Sequence, residues 1–266
     1  MFTQALKHYP LFLILIFATI LLSINLNKPF IGHHDWNGVW YSNFARNFTK
    51  YGLLKTKFGS VMNYDNTGGK SFQYATHYPP LMPIFIYLSF AIFGIHEWSA
   101  RLVPMISTLA TITLIYVLSL KFFDKRVAVF ACAFTSILPI TIYFGKMPVH
   151  EIVVMPFILL SVFFYFNYRK QQSLQNLSLL ILALVLSHLI HWSGYFLTPL
   201  FSLHWLITSH KKEFYRSLIF PTVSITLFAL HLAHLYWLTG SSTGGGLVQI
   251  LTDRLNITDS PEGLTP

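Results

Sequence analysis

The run from Leu218 to Leu238 reads LIFPTVSITLFALHLAHLYWL and holds no Asp, Glu, Lys or Arg. An α-helix rises about 1.5 Å per residue, so a run of roughly 20 apolar residues reaches across a hydrocarbon layer roughly 30 Å thick. The same reading applies to Pro10–Leu26, Ala100–Phe123, Val127–Phe144, Ile152–Phe166, Leu174–Ile190 and Gly194–Ile207. A further run, Pro79–Gly94, is shorter and headed by prolines. Transmembrane barrels alternate apolar and polar residues in segments of about ten, and these runs are continuous. The chain therefore reads as an all-α, polytopic transmembrane helical bundle with about seven spanning helices.

Composition agrees. With 54% hydrophobic and 10% charged residues and a mean hydropathy of +0.55, the chain is too apolar for a soluble domain. The net charge of +9 reads as anchoring loops in contact with anionic lipid. No basic stripe is interleaved with polar readout residues, which argues against nucleic acid as a partner. A single cysteine, Cys132, excludes an intrachain disulfide and reads as packing. Ser23 to Lys28 offers no small-residue cleavage site, so the first apolar run is expected to remain as a helix.

Basic residues recur at every second connection: Lys121, Lys125 and Arg126, then Arg169 and Lys170, then Lys211, Lys212 and Arg216. These connections are expected on the cytoplasmic side. The connections around Glu151, around His191-Trp192 and after Thr239 then face outward. Parity leaves the loop 28–78 open. If 79–94 spans, that loop is inside; if 79–94 lies along the interface, the loop is outside and Asp35 shares a face with Glu151.

Within the loop, Trp36, Val39, Trp40, Phe44, Ala45 and Phe48 recur at helical spacing, with Asn37, Asn43, Arg46, Asn47 and Lys50 on other faces. The pattern predicts an amphipathic interfacial helix over 36–51, ended by Tyr51-Gly52. Asn63 to Lys70 reads as a turn-rich loop. Residues 1–240 are read as one transmembrane domain, and 241–266 as a short extracytoplasmic tail that begins a further C-terminal part.

Chemistry concentrates in Gly32-His33-His34-Asp35-Trp36-Asn37-Gly38. An acid at the edge of a membrane segment is costly unless solvated, paired or in use, which makes Asp35 the first candidate. The competing reading is a helix N-cap for 36–51. Glu151 follows Lys146 and His150; it is read as orienting an acceptor or pairing with a basic group that binds phosphate, against a solvated charge or a surface pair with Lys146. Arg101 suits an anionic phosphate, which a guanidinium binds bidentately. Its alternatives are snorkelling or a pair with Glu97. Lys146 is a candidate for the same work. His33, His34, His77 and His150 are read as polar anchors, or as holding a divalent metal ion with Asp35, although no pair has the i, i+4 spacing of a helical metal site. His188, His191, His231 and His234 receive no catalytic role, and Trp192 reads as an aromatic belt residue.

Four motifs in order, His33-His34-Asp35-Trp36-Asn37, His77-Tyr78-Pro79-Pro80-Leu81, Glu97-Trp98-Ser99-Ala100-Arg101-Leu102 and Gly145-Lys146-Met147-Pro148-Val149-His150-Glu151, give the chain a family likeness. It resembles the GT-C membrane glycosyltransferases related to protein O-mannosyltransferases and lipid A aminoarabinose transferases. The resemblance implies inverting transfer of a sugar from a polyprenyl-phosphate donor to a lipid, glycan or protein acceptor on the extracytoplasmic face of the plasma or inner membrane. It implies Asp35 as the acid of the first outer loop, Glu151 as the second acid, a non-spanning 79–94, and donor-phosphate contacts from Arg101, Lys146 and His77. Trp36 stands where relatives often carry a second acid, and Tyr78 where the aminoarabinose transferases carry a lysine, so no phosphate contact transfers to that position. The competing functions are a lipid-linked sugar transporter or flippase, which predicts repeated halves that the sequence does not show, and a non-catalytic remnant of a transferase.

Overall fold

Without water to hydrogen-bond the main chain, an apolar run has to satisfy its own N–H and C=O groups, and here it does so as helix. The computed structural model describes residues 9–63, 72–209 and 211–241, without the side chains of His33, Lys211 and Lys212. The predicted loop beyond Asn63 and the tail beyond Ser241 lie outside the described residues. The helices are α1 (Tyr9–Ser23), α2 (Trp36–Tyr51), α3 (Leu81–Phe93), α4 (Glu97–Phe122), α5 (Lys125–Ile137), α6 (Pro139–Phe144), α7 (His150–Lys170), α8 (Leu174–Ile190), α9 (Leu197–Thr208) and α10 (Ile219–Thr239). Two short strands, β1 (Ser60–Val61) and β2 (Tyr74–Ala75), pair antiparallel with Ser60 opposite Ala75. Among the described residues, Glu97–Phe122, His150–Lys170 and Glu213–Thr239 are long and apolar enough to cross a membrane, and Tyr9–Ser23, Leu81–Phe93 and Leu174–Ile190 are shorter apolar helices.

Contacts sort the helix ends into two groups. At one end the Lys125 ammonium lies 5.7 Å from the Tyr9 ring centroid, Lys121 donates to Asn167, and Arg169 donates to Thr208 and Ser209. At the other, Lys146 donates to the Ile24 carbonyl, the Tyr41 and His150 rings meet edge-on at 4.5 Å, and Lys57 donates to the Trp237 carbonyl at 3.0 Å. The chain thus runs toward the second end through α1, α5–α6, α8 and α10, and back through α4, α7 and α9. The basic connections gather at the first end. α3 does not change ends: Tyr78 before it stacks on His150 at 4.4 Å, and Arg101, in the helix after it, donates to the Leu26 and Lys28 carbonyls.

Three sequence expectations need correction. The run 127–144 is not one helix: Leu138 is extended (ψ 129°) before Pro139, because the proline ring disfavours helical geometry in the residue before it, and a new short helix starts there. The run 194–207 becomes helical only from Leu197, after a 3-10 turn over Trp192–Phe196, and Trp192 turns inward to donate to the His77 carbonyl at 2.9 Å. On α2, Asn43 and Asn47 are buried rather than facing a polar surface, and Trp36 is 60% exposed. The reason is the strand pair: Asn43 donates to the Met62 carbonyl at 3.1 Å, and Asn47 to Val61 and Asn63 at 2.9 and 2.8 Å.

Gly38 lets the segment before α2 lie against the helix. A Cβ added there would stand 2.3 Å from the Phe30 ring. Gly38→Ala is expected to destabilise the protein by about 1–3 kcal/mol through overpacking, read as a lowered Tm; an unchanged Tm would mean that Phe30 yields freely.

Candidate active site

The site is built outward from Arg101, one turn into α4. Its side chain is 5% exposed, and its Nη1 donates to the carbonyls of Leu26, at 2.8 Å, and Lys28, at 2.5 Å. The guanidinium carbon lies 4.1 Å from the Phe30 ring centroid, so Phe30 is held between Arg101 and Gly38. This anchored segment leads into the 3-10 turn His33–Asp35. Asp35 is 9% exposed and does not cap α2. Its Oδ2 reaches back instead to accept from the backbone N–H of Ile31, at 3.0 Å, and of Gly32, at 2.6 Å. Two main-chain donors therefore fix one carboxylate oxygen, and Arg101 feels the Asp35 charge.

The neighbouring wall comes from α6 and the loop before α7. His34 packs edge-on against Tyr143 and Phe144 at 6.0 and 5.6 Å. Lys146 spends a donor on the Ile24 carbonyl, and burial together with the Arg101 charge pushes its ammonium below the usual lysine value. Lys146 and Arg101 thus form one positive corner beside the Asp35 turn.

A second group lies farther along α2. His150 meets Tyr41 edge-on and stacks on Tyr78, with centroids 4.5 and 4.4 Å away, and His191 stacks on Tyr78 at 5.2 Å. Glu151 points outward, 64% exposed, with Oε1 3.8 Å from His191 Nε2, and not toward Lys146. Burial, with Tyr78 and Glu151, pushes the Tyr41 phenol far above its usual range, so it remains a neutral donor. Beneath α2, Tyr41, Tyr78 and His150 border a cavity of about 330 Å³, with His77, Tyr74, Trp40 and Met62 also in its wall.

A sequence model of the family described as dolichyl-phosphate-mannose-protein mannosyltransferase matches residues 77–237, more than half of the chain. The chain belongs to that family. Among solved structures, the chain is similar to ArnT from Cupriavidus metallidurans in the apo state, with a TM-score of 0.63 and 16% identity over 92% of this chain. The chain spans 44% of that protein's length, and the likeness is one of fold. No curated protein matches the chain. As a member of a membrane mannosyltransferase family with apolar helices of spanning length, it is an integral membrane protein.

In this family member the predicted residues Asp35, His34, Arg101, Lys146, His77, His150 and Glu151 all lie at one end of the bundle; the His33 side chain lies outside the described residues. They fall into two places, the Asp35 turn with Arg101 and Lys146, and the ring cluster with Glu151 at its rim. Among the described residues, no group of three or more His, Cys, Asp or Glu side chains comes together as a metal-binding set. The sequence offers no signal for Tyr41 and assigns His191 no catalytic role. His191 closes α8 in an outward connection, directly before a tryptophan, and that position was its only signal.

His191 also yields a pH prediction. Burial lowers its pKa from the usual 6.5, partly offset by Glu151. The unfolded chain then binds a proton more readily than the folded one, so stability present above about 6.5 is lost as pH falls toward the lowered folded value. Tm should drop between pH 7 and pH 5, and His191→Gln should flatten that slope; equal slopes in both proteins would remove His191 as the cause.

Proposed function

We propose that the chain carries the catalytic centre of a membrane glycosyltransferase that moves a sugar from a polyprenyl-phosphate donor to an acceptor on the extracytoplasmic face. The observation that carries this reading is the held carboxylate of Asp35 beside the Lys146–Arg101 corner, in a chain of the mannosyltransferase family. A sugar–phosphate bond already has a good leaving group. The protein therefore needs to orient the acceptor, take its proton and stabilise the departing phosphate.

In this reading the acceptor oxygen attacks C1 of the sugar and its proton passes to Asp35. The bond from C1 to the phosphate oxygen breaks, the electron pair leaves on the polyprenyl phosphate, and a single displacement inverts C1. Fixing Oδ2 by two backbone donors leaves Oδ1 to meet the proton without a search over rotamers. Lys146 meets the leaving phosphate, and Arg101, with Nη1 committed to the main chain, adds charge from behind; His77 contacts the donor from the β2 side. Glu151, at the exposed rim, orients the acceptor. The extracytoplasmic side is supported by Lys121, Lys125, Arg126, Arg169 and Lys170, which gather at the opposite end, since basic connections favour the cytoplasmic face.

Asp35→Asn keeps an oxygen that can accept from Ile31 and Gly32 but loses the base. In membranes holding the full chain, transfer from a labelled polyprenyl-phosphate hexose should fall by about 10²–10⁴ with Tm nearly unchanged. A rate equal to wild type would remove Asp35 as the base, and no transfer by the wild type from any such donor would remove the activity. Trp36→Cys, in a Cys132→Ala background, should react with an impermeant thiol reagent from outside the cell; reaction only from the cytoplasm would reverse the topology.

A further inference from the structure

We propose that the cavity beneath α2 is a binding site for a single neutral sugar ring. The proposal rests on the glycosyl-transfer reading above for the reason that a sugar reaches this end of the bundle. The cavity itself supplies the chemistry.

Its volume of about 330 Å³ sits at the lower limit of the roughly 300–1,000 Å³ of small-molecule sites, which suits one ring. No Asp, Glu, Lys or Arg contributes to its wall. A phosphate would find no counter-charge there, since the cations of this end, Lys146 and Arg101, border the Asp35 turn instead. Five aromatic rings, Trp40, Tyr41, Phe44, Tyr74 and Tyr78, line the cavity, with Ser60, Thr76 and His77 as neutral polar neighbours. A pyranose fits such a wall because it has an apolar C–H face to lay on an aromatic ring and hydroxyls around its rim.

His150 supplies the polar partner. It is 1% exposed and lines the cavity, yet neither of its ring nitrogens has a hydrogen-bond partner among the described residues. Buried polar groups are rarely left unpaired, because an unmet donor or acceptor carries its full desolvation cost. A neutral imidazole presents one N–H donor and one acceptor nitrogen, the complement of a sugar hydroxyl that can donate and accept. The stacked Tyr78 and the edge-on Tyr41 restrict the orientation of the imidazole. An ammonium could use the aromatic faces, but it would set the imidazole N–H against a cation and leave that donor without an acceptor. The neutral polyhydroxy ring satisfies both nitrogens.

The test uses the full chain in lipid nanodiscs, free of sugar-headed detergents, and saturation-transfer NMR with methyl hexopyranosides, a methyl amino-hexopyranoside and inorganic phosphate. The neutral pyranosides should bind, phosphate should not displace them, and His150→Phe and Tyr78→Ala should each weaken binding about tenfold or more at unchanged Tm. If His150→Phe does not fold, Trp40→Ala carries the same comparison. Binding that none of these changes weakens, displacement by phosphate, or tighter binding of the amino sugar would overturn the proposal. A polyprenyl-phosphate hexose then assigns the source: competition with the free pyranoside marks the cavity as the seat of the transferred sugar, and simultaneous binding marks it as the seat of an acceptor sugar. A chain that binds the neutral ring through His150 but transfers nothing sinks the catalytic reading alone. A chain that transfers but shows no such binding sinks this site alone.

Discussion

A buried guanidinium has to be hydrogen-bonded, because the cost of removing its charge from water exceeds what packing returns. Arg101 meets that requirement with main chain, not with a carboxylate: the carbonyls of Leu26 and Lys28 take Nη1, and the Phe30 face covers the plane. The consequence reaches well beyond one side chain. The segment that leaves α1 is drawn onto α4, Phe30 is pressed against Gly38, and the entry to α2 is fixed. With that entry fixed, the backbone N–H groups of Ile31 and Gly32 converge on Asp35. The nearest acid is thus oriented by a cation that it does not pair with.

The same end of the bundle separates its charges from its rings. Asp35, Lys146 and Arg101 border one turn; His150, Tyr78, Tyr41 and His191 pack into one aromatic group farther along α2. A phosphate and a sugar ring make opposite demands, one for fixed positive charge and the other for neutral faces with a few directed donors. A helix that begins directly after Asp35 and carries Trp40 and Tyr41 in its second turn can serve both, since residues five and six positions apart lie roughly 7.5–9 Å apart along a helix axis. Glu151, exposed at the rim, belongs to neither group by packing, and its Oε1 lies 3.8 Å from His191 Nε2.

Much of the architecture was legible because hydropathy counts the constraint that matters most in lipid, the satisfaction of backbone groups within one segment. The helix Trp36–Tyr51 was readable to its ends, since the spacing of its apolar residues repeats and Gly52 stops it with φ at +83°. The break at Pro139 was not, because an apolar run scores the same whether or not one peptide leaves the helical region. The inward turn of Asn43 and Asn47 was also hidden. Their partners are carbonyls of a strand pair that no hydrophobic pattern announces. Asp35 stood out by being an acid at an apolar boundary, whereas the ring cluster joins residues from α2, β2's flank, α7 and the end of α8, and only tertiary packing brings those together.

Where Glu151 and His191 meet, distance alone would suggest an ion pair, and the environment argues for a different state. His191 is 15% exposed and burial disfavours its charged form, while Glu151 keeps most of its surface in water. Above the lowered pKa of the imidazole, the pair is a carboxylate facing a neutral ring, so among the described residues the rim carries a negative charge that no Lys or Arg pairs with. In the proposed reaction such a rim would repel the phosphate of a lipid-linked donor and leave it the Lys146–Arg101 corner, while a hydroxyl could donate to the Glu151 carboxylate. The two substrates of a transfer reaction would then be sorted before either is bound tightly, by burial of one histidine and not by an additional charged residue.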